Sequence, residues 1–145
     1  MLDAETAALI EEIRAEYPGC FACGTDNPVG LHLEPAEMDG EEAVATFEPL
    51  AHHGGAGETL HGGLAATVLD EIMVWAGILS EKVLTVTGTM EMRFLRPITV
   101  TDEVEARGRV VERRGRRLRC SAVLGVDGQP AVTAKGLYLV VRSFD

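Results

Sequence analysis

Leu64-Ala65-Ala66-Thr67-Val68-Leu69-Asp70-Glu71-Ile72-Met73-Val74-Trp75-Ala76-Gly77-Ile78-Leu79-Ser80 is the stretch on which the fold turns. It contains no proline and, apart from Asp70 and Glu71, almost nothing that favours water. As a helix its 17 or so residues would span roughly 25 Å at 1.5 Å per residue. Apolar side chains on nearly every side mean that such a helix is expected to be buried nearly all round. Its cover has to come from the rest of the chain.

Downstream, Val86, Gly88, Met90, Met92 and Phe94 alternate with Thr87, Thr89, Glu91 and Arg93, the period-two signature of a half-buried strand. The alternation recurs in Val104/Ala106/Gly108/Val110, Leu118/Cys120/Ala122/Leu124 and Val132/Ala134/Gly136/Tyr138/Val140, with turns at Gly115 and Asp127-Gly128. Upstream, Leu31/Leu33 and Ala43 to Phe47 read as two strands hinged at Asp39-Gly40, and the glycine-rich segment 51–57 reads as a flexible loop. Ahead of these, Ala7, Leu9, Ile10 and Ile13 form an amphipathic helix stopped by Pro18 and Gly19. The expected organisation is a capping helix over 1–19 and one α+β domain over 20–145. In that domain a curved antiparallel sheet wraps around one long helix.

At 145 residues the chain suits a single domain. Its 46% hydrophobic and 25% charged residues are ordinary globular values, which excludes disorder. A net charge of -10 argues against nucleic-acid or anionic-membrane binding. The longest unbroken apolar run, Ile72 to Leu79, is shorter than the roughly 20 residues of a membrane span. With no basic, apolar leader at Met1 to Glu5 and an odd number of cysteines, a cytoplasmic, reducing location is expected. Charge is also unevenly placed. Arg14 is the one base before position 49, whereas Arg113, Arg114, Arg116, Arg117 and Arg119 crowd around one turn.

Asp70 and Glu71 are the chemically conspicuous residues. Neighbours on a helix point about 100° apart, so an enclosed helix cannot easily place both carboxylates in water. Either they share a solvated or subunit-facing strip, or one sits in a cleft as a base. His61-Gly62-Gly63 opens the helix, where free N–H groups and the dipole favour an anion or developing oxyanion. The alternative is a helix entry whose glycines serve packing and whose His61 is structural. Cys20-x-x-Cys23 is read as a packed turn. Zinc would need further ligands such as His32 or His52, and no thioredoxin-like unit supports a redox pair.

His61-Gly62-Gly63, then six residues, then Asp70, resembles the HGG-x6-D signature of hotdog-fold acyl-CoA thioesterases of the PaaI type. Cys20-Phe21-Ala22-Cys23-Gly24 with Asn27-Pro28 and Gly30-Leu31 is similar to the CxxCG-x-x-NPxGL opening of many members, and Phe94-Leu95-Arg96-Pro97 to their strand end. The resemblance implies the hotdog fold, a thioester-hydrolysing activity, and an acyl-CoA substrate. It also implies a homodimer or homotetramer with sites at the subunit interface. No cofactor and no metal are implied, so chelators are expected to leave activity unaffected.

Carried over, Asp70 is the general base or nucleophile, the Gly62 N–H the oxyanion donor, Thr87 the water-positioning hydroxyl, and His61 part of the same catalytic group. Gly63, Gly55 and His53 would line the substrate site. Gly55 stands where some relatives place an asparagine, with His52 or His53 as nearby substitutes. Glu71 is expected in a supporting or subunit-facing position. Arg113, Arg114 and Arg116 are candidates for the CoA phosphates, the alternative being a solvated hairpin tip that attracts the acidic amino-terminal segment. A non-catalytic acyl-CoA or lipid-binding module is the rival function. A dehydratase lacks its His and acid spacing, and an α/β-hydrolase its Gly-x-Ser-x-Gly elbow. The acyl group cannot be read from the chain.

Overall fold

The structure is a computed structural model that describes residues 3–34 and 36–145. Met1 and Leu2, which begin the expected capping segment, lie outside the described residues. Helix α1 (Ala4–Glu16) is followed by β1 (Glu37–Asp39), β2 (Glu42–Phe47), a 3-10 turn (Ala51–His53) and the long helix α2 (Gly62–Glu81). Strands β3 (Val83–Phe94), β4 (Val104–Arg114), β5 (Arg117–Val126) and β6 (Gln129–Ser143) complete the chain. One antiparallel sheet in the order β1-β2-β4-β5-β6-β3 wraps α2, the hotdog arrangement that the sequence implied.

The first half of α2 buries a single stripe, Ala65, Val68, Leu69, Ile72 and Met73, while Trp75 through Leu79 are buried on successive sides. Burial nearly all round therefore holds only for the second half. One sheet covers one side of a helix, and the side carrying Thr67, Asp70 and Val74 is half-buried. By length and composition α2 would suffice to cross a membrane, yet its apolar residues pack on the sheet. Leu69, Met73, Ile78, Leu118 and Leu124 meet in this core, each worth about 1.5–3 kcal/mol if fully withdrawn from water.

Two local expectations are corrected. Leu31 and Leu33 form no strand, because their N–H groups are spent on the Phe21 and Ala22 carbonyls at 2.8 and 2.9 Å. The strand that pairs with β2 is instead Glu37–Asp39. The segment 51–57 is not a free loop either. His53 Nδ1 accepts the Leu50 N–H at 2.9 Å, and the His53 carbonyl accepts the His61 N–H at 3.0 Å.

Strand β3 lies at the sheet edge and departs from strict alternation. Thr85 and Thr87 stand opposite the buried Val140 and Tyr138, and Met90 and Met92 opposite Gly136 and Ala134, with a register shift at Gly88. That bulge puts Val86 on the outer face, 50% exposed, and turns Thr87 toward α2. Helix α1 is capped by Asp3, which accepts from the Thr6 N–H at 2.7 Å. It is fastened by Lys82 Nζ donating to Thr6 Oγ1 at 2.8 Å and by Arg142 of β6 gripping Glu12 and Glu16. Arg142, not the arginine hairpin, holds this acidic segment.

Candidate active site

Asp70 projects from the middle of α2, half-buried, beneath the edge where β6 meets β3. Its Oδ1 accepts two hydrogen bonds, from Thr87 Oγ1 at 2.6 Å and from the Tyr138 hydroxyl at 2.7 Å. Among the described residues nothing donates to Oδ2. The carboxylate is thus held by one oxygen, which leaves the other able to accept a proton. Thr87 was expected here, and the Gly88 bulge is what delivers it.

Tyr138 was missed. It is fully buried on β6, and its ring lies over Gly136, where an added Cβ would sit 2.5 Å from the ring. Burial, and after it the bond to Asp70, pushes the phenol well above its ordinary value, so it stays a donor. A tyrosine facing inward on a core strand needs a partner for its hydroxyl, and that need was the available signal. Tyr138→Phe removes a bond to a charged group worth about 1.5–3 kcal/mol. Steady-state kinetics on Tyr138→Phe are expected to give a roughly tenfold lower kcat and little change in KM.

The helix start is also selective. His61 is the N-cap of α2, and its Nδ1 accepts the Gly63 N–H at 2.9 Å. The Leu64 and Ala65 N–H groups return to the His61 carbonyl. The Gly62 N–H makes no hydrogen bond among the described residues and is left as the donor at the positive end of the helix. The Gly63 N–H, by contrast, is occupied by the His61 ring. Phe94 flanks the opening, its ring 3.4 Å from where a Gly62 Cβ would be. A groove of about 400 Å³ runs from there between Leu60, Ala65, Phe94, Pro97 and Val132.

Gly55 packs against His61, whose Cα would be 3.2 Å from a Gly55 Cβ. His53 is buried, and burial followed by the His52 neighbour holds its ring below the usual histidine range. Its ring and carbonyl accept the Leu50 and His61 N–H groups of this turn. Asp70 and Gly62 are not adjacent: they stand eight positions apart, about 12 Å along the helix axis. The arginine cluster is engaged with other partners. Arg113 approaches Glu81 at the far end of α2, and Arg114 pairs with Glu112. Arg116 donates to the Val140 carbonyl at 3.3 Å.

Glu71 points neither into this site nor to the open edge of the sheet. Its Oε1 accepts from Trp75 Nε1 at 3.0 Å, and its carboxylate lies within 4.8 Å of the Cys20 and Cys23 thiols. Burial raises its pKa against the lowering pull of the Trp75 bond.

A family model described as thioesterase superfamily matches residues 57–131, just over half of the chain and including Gly62, Asp70 and Thr87 but not Tyr138. No curated protein sequence matches. Among solved structures, the PaaI protein from the phenylacetic acid degradation operon of Escherichia coli is 18% identical. It has a TM-score of 0.75, over 96% of this chain and 93% of that one. A hypothetical thioesterase of Streptococcus pneumoniae, solved with coenzyme A, is 18% identical at a TM-score of 0.71, over 78% and 91% of the two chains. A Streptococcus mutans protein bound to acetyl CoA gives the same values. At these identities the likeness establishes a shared fold.

Proposed function

The chain belongs to the thioesterase superfamily, and from that premise we propose that it is a hotdog enzyme of the PaaI type that hydrolyses acyl-CoA to a free acid and CoA at Asp70. The observation that carries this is the Asp70 carboxylate, held at Oδ1 by Thr87 and Tyr138 and free at Oδ2. In this reading Oδ2 takes a proton from water as that water attacks the thioester carbonyl. Direct attack by Oδ2, followed by hydrolysis of the anhydride, uses the same placement. The Gly62 N–H receives the oxyanion, and the groove beside Phe94 takes the acyl chain. Thioesters are activated enough for a positioned base, worth roughly 10² to 10⁴ in rate, and an oxyanion donor to suffice. The coenzyme A and acetyl CoA in the two streptococcal structures support CoA as the carrier.

One carbonyl cannot meet both Asp70 and Gly62 of the same helix across about 12 Å. The site therefore takes Asp70 from one copy and Gly62 from another. The open edge of β3, twelve residues long with Thr87 and Gly88 exposed on it, is the place for two copies to join. The test is release of free thiol from a panel of acyl-CoAs, paired with light scattering. A dimer or tetramer that turns over at least one acyl-CoA is expected. No thiol release from any of them sinks the activity, and a fully active monomer sinks the shared site.

A further inference from the structure

Hydrolysis has no use for three groups that meet about 100° around α2 from Asp70. A ligand atom from each of Cys20, Cys23 and Glu71 lies within 4.8 Å of the other two. The two thiols are free, Cys23 buried and Cys20 half-buried. They are brought to one side by a tight turn in which the Gly24 N–H donates to the Cys20 carbonyl at 2.9 Å. Only glycine fits there, since a Cβ at position 24 would stand 2.4 Å from the Cys20 nitrogen and the Pro18 oxygen. The Trp75 indole steadies one oxygen of Glu71 from the opposite side.

Three acidic groups are thus gathered away from water with no cationic side chain among them. Two sulfurs and one carboxylate suit zinc, whereas calcium and magnesium take oxygen alone. Histidine is not needed to complete the set: His32 is turned to the Asn27 carbonyl, and His52 is exposed against His53.

We propose that Cys20, Cys23 and Glu71 bind one zinc ion, with water as the fourth ligand, and that the ion clamps the turn after α1 to the central helix. Binding releases both thiol protons to solvent, together with any proton on Glu71. Two thiolates, one carboxylate and Zn²⁺ then leave a single negative charge. The indole N–H keeps the carboxylate oriented, a support whose loss elsewhere costs roughly 10- to 100-fold in affinity.

The full chain, stripped of metal by a chelator under reducing conditions, is titrated with Co²⁺. One cobalt per chain is expected, with thiolate-to-cobalt charge-transfer absorption and the strong visible bands of a tetrahedral site, bleached by Zn²⁺. Cys23→Ser and Glu71→Gln should each weaken Co²⁺ binding at least tenfold and Trp75→Phe by about tenfold, whereas Cys120→Ser, on β5, should titrate as the parent does. Should Cys23→Ser fail to fold by circular dichroism, the half-buried Cys20→Ser takes its place. Absence of the charge-transfer band in the parent overturns the proposal, as does its persistence in both ligand variants. Because the readout is the metal and not turnover, the result is independent of the role given to Asp70.

Discussion

Asp70→Asn is expected to lower kcat by about 10² or more while leaving the fold and KM nearly unchanged. The amide has the shape of the carboxylate, and its carbonyl oxygen can still accept from Thr87 and Tyr138, so the local packing survives. What disappears is the second oxygen, the one that would take a proton from water or attack the thioester. Thiol-release kinetics with circular dichroism as the folding control measure this directly. Near-native turnover in the variant would remove Asp70 from the mechanism. Glu71→Gln should cost far less, because Glu71 is bonded to Trp75 and lies beside Cys20 and Cys23, not in the cleft. Equal losses would mean that the wrong carboxylate has been chosen.

Gly62→Pro should lower kcat by roughly 10² to 10³, the usual cost of one oxyanion donor. Proline is suited to the first position of a helix, where it deletes an N–H that the helix does not use. His61 already has the extended conformation, φ -60° and ψ 130°, that a following proline requires. If each site takes Asp70 from one copy and Gly62 from the other, two inactive variants should rescue each other. Mixing Asp70→Asn with Gly62→Pro chains under exchanging conditions gives half the dimers as hybrids. Each hybrid has one intact site of two, so about a quarter of parental activity should return. No recovery in demonstrably mixed dimers would place both groups within one chain's site and defeat the two-copy reading.

The parts of this arrangement that were legible in the sequence are those that depend on local period. The alternation in β4, β5 and β6 and the apolar run of α2 each reflect one face against one core, and the HGG-to-Asp70 spacing is a distance along a helix. Leu31 and Leu33 alternate just as well, yet their N–H groups are committed to a turn ten residues earlier, a choice that no period records. In β3 the misreading came from Gly88. With no side chain it fits either face, so the alternation looked continuous across the bulge that reverses it. Tyr138 reaches Asp70 across 68 positions, and Cys20 and Cys23 find Glu71 at a similar remove. Those meetings are set by strand order and helix rotation, which only the folded chain defines.

The order in which strands cover α2 bears on how the chain is made. The helix ends at Glu81, but β4, β5 and β6, which form most of the wall against it, are not complete until Ser143. Among the described residues, the only in-chain neighbour of β3 is the last strand of all. At a synthesis rate of about 5–20 residues per second, the apolar helix and its following strand are left without cover for several seconds on each nascent chain. Pairings this distant in sequence also slow refolding. Until β6 is made, residues 62–94 depend on whatever shields them during those seconds.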